Sequence, residues 1–420
     1  MRYITEWRPT PACRLRRTNM SRSAAFGAAM VSLTLALPLA YGEPAIAARW
    51  VIRRAPQPAV SFSTVLKGVS CTSMSACTAV GYNLPIKAGG SNATVALVER
   101  WNGSSWAIQR TPSSLGSSLS GVSCPSRTAC TAVGSGLGGN EQEVPLVERW
   151  DGRRWSIQRI QIPKGLGVPG APAANNRFTA VSCPSRRACV AVGVENGENG
   201  TGGLVERWNG IRWSVQRIPQ QVMLNGVSCS SAAACIAVGN PSVRWNGRTW
   251  KREPIPLPKA FSGYLDSNAD ANLTSVSCTS TTECVAVGGW NLGCDSCSTL
   301  TFAERWNGSR WSSIRARDAG LDRSLFGVSC SSSTACTAVG SEDLPGGDYV
   351  DGRLLAERWT GLDWSVQPTP NPRRSLGRLP SCLYSGCAAL NGVSCTSGAR
   401  CVAVGSYGDS NPVALVARHE

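Results

Sequence analysis

The run Val69-Ser70-Cys71-Thr72-Ser73-Met74-Ser75-Ala76-Cys77-Thr78-Ala79-Val80-Gly81 decides the fold, together with Val98-Glu99-Arg100-Trp101-Asn102-Gly103-Ser104-Ser105-Trp106 after the next loop. Its first half, V-S-C-x5-C-x-A-V-G, recurs seven times in the 420 residues, and the half ending in paired tryptophans recurs six times. Successive first cysteines stand 46 to 65 residues apart. Such self-similarity marks a repeat architecture in which each unit cannot bury its apolar face alone. In the second unit four short runs, Gly121–Cys124, Cys130–Gly134, Pro145–Trp150 and Trp155–Ile160, alternate Val, Ile and Trp with small or polar residues. That alternation predicts strands, and no stretch of the repeats carries a helical period. Four strands per unit, repeated seven times, predict an all-β, seven-bladed β-propeller of four-stranded blades.

Two turns per unit have constant length. The first lies inside C-x5-C, and the second spans four residues between Trp101/Trp106, Trp150/Trp155, Trp208/Trp213, Trp245/Trp250, Trp306/Trp311 and Trp359/Trp364. Four of these turns open Trp-Asn-Gly, a sequence that accepts positive φ and so tightens a hairpin. The last unit ends at Leu415-Val416-Ala417-Arg418-His419-Glu420, a third strand without a fourth. The missing strand stands near the other end of the chain. Trp50-Val51-Ile52-Arg53-Arg54-Ala55-Pro56 matches Trp106-Ala107-Ile108-Gln109-Arg110-Thr111-Pro112 in the pattern W-x-I-x-R-x-P. Residues 48–56 are therefore expected to complete blade 7 and close the ring, with His419 in a framework Trp position.

Ahead of this strand, the basic stretch Arg14–Arg22 precedes an apolar run over 24–40 and the A-x-A site Ala45-Ile46-Ala47. That reads as a secretory signal over 1–47, with the propeller over 48–420 and the true start at Met1 or Met20. Its removal would take away Cys13 and leave 18 of the 19 cysteines, an even set for an oxidising compartment. A secreted, extracellular protein is expected. The C-x5-C pairs predict hairpin disulfides Cys71/Cys77, Cys124/Cys130, Cys183/Cys189, Cys229/Cys235, Cys278/Cys284, Cys330/Cys336 and Cys395/Cys401. Cys294/Cys297 and Cys382/Cys387 stand outside the repeat as loop staples, and their mutual pairing stays open. No metal or cofactor is expected. The spacing is wrong for zinc knuckles, the single histidine is His419, and no D-x-D-x-D-G calcium loop occurs.

The segment Val98-Glu99-Arg100-Trp101-Asn102-Gly103…Trp106 resembles the third-to-fourth strand of kelch repeats, and the A-V-G ending resembles the kelch glycine position. The G-x-x-W tail is also similar to the Asp-box of sialidase-like propellers, with Trp101 and its equivalents where the Asp would stand. The resemblance implies the fold and brings no active site. With His419 in a framework position, galactose-oxidase-type copper chemistry is excluded.

In a four-stranded blade the first and third turns share one face, while the second turn and the inter-blade connection share the other. Here the first face has short constant turns and the second carries loops of every length, the usual place for binding. The five tyrosines beyond residue 47, the one non-framework tryptophan there (Trp290) and more than half of the acids fall in those loops. From the richest sector the candidate binding residues are Trp290, Asp343, Asp348, Tyr349, Tyr407 and Asp409. No catalytic residue is assigned. The opposite face is basic, with turns holding Arg127, Arg153, Arg186, Arg212 and Arg310. The net charge of +16 falls to about +12 when the six arginines and two glutamates of residues 1–47 are removed. An anionic envelope polymer is a candidate for that face.

The repeated Glu99, Glu148, Glu206, Glu304 and Glu357 read as cross-strand partners of Arg110, Arg159 and Arg217. The Ser before each first Cys reads as satisfying backbone groups near the channel. The functional expectation is a non-enzymatic, monomeric propeller that recognises an extracellular glycan or protein through its variable loop face. It is expected to bind no nucleic acid and not to span a membrane. The alternative is a polysaccharide-acting hydrolase or lyase, which would need a carboxylate pair or a tyrosine as acid and base.

Overall fold

In the computed structural model the described residues are 49–86, 93–138, 142–161, 176–197, 200–219, 222–256, 270–291, 300–314, 322–343, 352–377, 382, 387–409 and 411–419. They form seven antiparallel four-stranded sheets, six of them built from one sequence repeat in simple meander order and the seventh from both ends of the described chain. The one helix among them is the short Pro372–Leu376 turn ahead of the last blade. Blade 1 takes Ser61–Ser73, Ala76–Pro85, Val95–Trp101 and Trp106–Gln109 as its first to fourth strands.

Blade 7 is assembled from both chain ends, as the W-x-I-x-R-x-P match requires. Ala388–Ser397, Arg400–Tyr407 and Val413–His419 are its first three strands, and Trp50–Arg54 pairs along the third as the fourth. Trp50 stands opposite His419, their rings 5.2 Å apart, so the imidazole occupies the place a tryptophan holds in the other blades. Trp50 and Ile52 are buried in the core between blades 6 and 7.

Apolar side chains on both faces of each blade pack into seven cores, one per blade interface. Each tryptophan hairpin turns through a glycine at φ between 92° and 104°. In blade 1 the Asn102 side chain accepts from the Ser104 and Ser105 amides, both at 2.9 Å, and locks that turn.

The seven C-x5-C pairs are disulfides within their hairpins: Cys71–Cys77, Cys124–Cys130, Cys183–Cys189, Cys229–Cys235, Cys278–Cys284, Cys330–Cys336 and Cys395–Cys401. They differ from exposed turn staples in one respect. The second member of each pair, Cys77, Cys130, Cys189, Cys235, Cys284, Cys336 or Cys401, is only 1–2% exposed and packs in a blade core. Cys382 and Cys387 are joined to each other, which settles half of the open pairing. Cys294 and Cys297 lie outside the described residues, as does the segment 1–48. The eight disulfides among the described residues fit an extracellular protein. Among the described residues no helix is long and apolar enough to cross a membrane.

Two sets of contacts tie blade to blade. The serine before each first cysteine accepts a hydrogen bond from the cysteine amide of the next blade, as in Cys124 N–H to Ser70 Oγ at 3.0 Å. The set runs through all seven interfaces at 2.9–3.0 Å and closes where Cys71 N–H donates to Ser394 Oγ. Farther out, third-strand arginines lie over the next blade's tryptophan. Arg100, Arg149 and Arg207 stand 4.7, 4.3 and 4.3 Å from the rings of Trp150, Trp208 and Trp245, and Arg418 closes the circle over Trp101. Each such cation–π contact contributes about 0.5–2 kcal/mol.

The repeated glutamates are not cross-strand ion partners. Glu99, Glu148 and Glu206 stand opposite Ile108, Ile157 and Val215, not an arginine. Their side chains are fully buried, as is that of Glu304. The fourth strands end at Gln109, Ile157 and Val215, before Arg110, Arg159 and Arg217 enter the sheets.

Candidate functional site

The first strand of every blade is interrupted by a one-residue β-bulge three residues before its Ser-Cys pair. In blade 1 the pairing steps from Leu66 opposite Gly81 to Gly68 opposite Val80, leaving Lys67 unpaired. The glycine of A-V-G permits this approach, since a Cβ on Gly81 would lie 1.9 Å from the Val65 carbonyl oxygen. The same step leaves out Ser120, Thr179, Asn225, Thr274, Phe326 and Asn391 in the other blades. A bulge re-aims its side chain out of the pleat, and here all seven bulged residues line the channel cavity of about 260 Å³.

These seven positions divide by chemistry. Thr179, Asn225, Thr274 and Asn391 spend their donors on the next blade, bonding the carbonyls of Leu224, Leu273, Leu325 and Leu66 at 2.7–3.0 Å. Lys67, Ser120 and Phe326 make no such bond. All three line a wider funnel of about 890 Å³, whose wall also includes Tyr82 and, on the loop side, Asp409 and Pro412. Asp409 and Pro412 belong to the connection between the second and third strands of blade 7, so the funnel opens on the variable face.

Lys67 has no ion-pair partner among the described residues. Its side chain reaches the water of the funnel, yet the enclosing wall lowers its pKa from the ordinary lysine value by desolvation. Arg177 of blade 3 lines the same funnel and stands 3.9 Å from Glu143. Burial raises the Tyr82 hydroxyl above the usual phenol value. The funnel therefore presents two cations, the two aromatic rings of Tyr82 and Phe326, and hydroxyls, with Asp409 as its one carboxylate among the described residues.

The expected loop residues are placed unequally. Asp409 lines the funnel. Asp343 is half-buried and stands opposite Asp322 and Gly352 in blade 6, off the described funnel wall. Tyr407 is a correction: it ends the second strand of blade 7 with 3% exposure, packed in the core beside Cys382 and Cys387, and offers no surface to a ligand. The disulfide positions Cys189, Cys336 and Cys401 are core residues, at 2%, 2% and 1% exposure, bonded in their hairpins as the spacing predicts. Trp290 lies on the second strand of blade 5, its backbone paired with Ala271 and Leu300, and its side chain lies outside the described part. Asp348 and Tyr349 lie outside the described residues. Among the described residues one group has metal-binding proximity, Cys382, Cys387 and Asp409, but its two sulfurs are bonded to each other.

Sequence reasoning missed Lys67, Ser120 and Phe326. The signal was present: in seven copies of x-[GAS]-V-S-C the leading residue reads K, S, T, N, T, F, N, the most varied position of the motif.

No family model and no curated protein matches the chain. Among solved structures it is similar to one described as "YCF48 bound to D1 peptide", with a TM-score of 0.49 at 12% identity over 88% of this chain and 94% of that one. It is also similar to the "WD40 beta propeller domain of Doa1", with a TM-score of 0.48 at 10% identity over 85% of this chain and 96% of that one.

Proposed function

We propose that this protein is a secreted, non-enzymatic recognition propeller that holds an anionic group of an extracellular glycan or protein partner in the loop-face funnel. The observation that carries the reading is Lys67, a cation that a bulge aims into the funnel and that has no counter-ion among the described residues. Phe326 and Ser120 add an apolar face and a hydroxyl to the lining of the same funnel. A concave wall that carries both Lys67 and Arg177 attracts an incoming anion through their summed charge. The described wall suits holding an anion better than paired acid–base work, which needs two groups of opposed protonation state.

The test incubates the protein with envelope and plant polysaccharides and with extracellular protein extracts, scoring retained protein and newly released sugar ends together. Retention without release, weakened in Lys67→Glu while the melting temperature is kept, supports the reading. Release of sugar ends, or retention unchanged by Lys67→Glu, overturns it.

A further inference from the structure

The third and fourth strands of each blade meet in a hairpin closed by two facing aromatic rings. In blades 2 to 6 all ten tryptophans are at most 9% exposed, and Trp50 and His419 of blade 7 are 3% and 5% exposed. Blade 1 breaks the pattern. Trp101 and Trp106 are both partly exposed, with rings 5.8 Å apart and inclined at 40°.

They form one side of a groove of about 490 Å³ on the rim, at the seam where blade 7 meets blade 1. Arg53 and Arg54 of the closing strand and Arg418 of its neighbour supply the other side. Arg418 lies 5.0 Å over the Trp101 ring, and Trp101 donates its indole N–H to the Met74 carbonyl at 3.0 Å. Trp106 is left as the open platform, its N–H without a partner among the described residues. Arg53 is exposed and likewise unpartnered. The matching position in the other blades is Gln109, Gln158, Gln216, Glu253, Ile314 or Gln367, so the cation is peculiar to the seam.

We propose that this groove is a second binding site, distinct from the funnel, which takes a uronic-acid residue of an acidic polysaccharide. A guanidinium matches a carboxylate through two parallel N–H donors, which assigns the acid group to Arg53 with Arg54 beside it. The apolar C–H face of a pyranose ring lies flat on the Trp106 indole, the apolar contact a flat aromatic surface provides. The free indole N–H and the Ser104 hydroxyl stand at the margin for ring hydroxyls. Charge alone would accept any anion, whereas the tryptophan selects one carried on a ring. The volume suits one or two sugar residues.

The test titrates the purified protein with trigalacturonate, followed by tryptophan fluorescence and calorimetry at low salt. A saturable signal is expected that weakens at least tenfold in Arg53→Glu and in Trp106→Ala and persists in Lys67→Glu. Arg53 is exposed, so its variant keeps the fold, and melting temperatures check both. The proposal is overturned if trigalacturonate gives no signal, or if folded Arg53→Glu binds as the parent does. It is equally overturned if Lys67→Glu abolishes the signal, or if neutral cellotriose or triglutamate binds as tightly.

Discussion

Glu99, Glu148, Glu206 and Glu304 are carboxylates held where water does not reach. Desolvation is the leading cause in each, raising the pKa from 4.5 to about 8 in Glu99, about 7 in Glu206 and Glu304, and about 6 in Glu148. The Ser113 hydroxyl bonded to Glu148, and the Ser313 hydroxyl at 2.5 Å from Glu304, partly offset it. Glu99 has no such bond among the described residues. A carboxyl whose folded pKa is raised binds its proton more tightly in the native state, so its contribution to stability is full below the unfolded value. That contribution is lost as pH rises through the folded one. The melting temperature is therefore expected to fall as pH is raised from 5 to 9. Blades 4 and 7 carry Val243 and Ala417 at this position, both buried, so the ring does not need a carboxylate there. Glu99→Gln is expected to fold, to raise the melting temperature at pH 9 and to flatten its decline above pH 7. Thermal scans across that range check this, and a melting temperature that climbs with pH contradicts it.

At the scale of the element, strand periodicity, turn glycines and the W-x-I-x-R-x-P match were readable from the chain because each is a local pattern. The bulges were not, because one unpaired residue inside a constant motif leaves composition and period unchanged. Its effect appears only when Leu66 and Gly68 are seen to face Gly81 and Val80. Tyr407 misled for the opposite reason, since a residue outside the repeat looks like a loop residue until the strand is found to extend through it. The closing strand carries its own prediction. Trp50 and Ile52 are buried, and each large apolar side chain contributes about 1.5–3 kcal/mol on burial. Removing residues up to Pro56 is expected to cost at least about 3 kcal/mol in urea unfolding, by lost burial alone. Equal unfolding midpoints for the shortened and full chains would sink the closure.

For the whole molecule, the serine belt is the feature that spans every interface. Replacing Ser70 or Ser394 by Ala leaves the Cys124 or Cys71 amide without its acceptor, at about 0.5–1.5 kcal/mol for a half-buried bond. The two losses are expected to be equal if the seam is as strong as an interior interface. Denaturant midpoints of the two variants compare them directly, and a far larger effect of Ser394→Ala would mark the seam as the weak joint. The meeting of Trp50–Arg54 with Val413–His419 also has a consequence in time. A chain made from its N-terminus onward can build six blades in succession, yet the strand needed for the seventh is among the first to appear. It must wait, unpaired, for its partner. Until residue 419 arrives the molecule is an open horseshoe, and the two ends of the message must be delivered before any of the ring is locked.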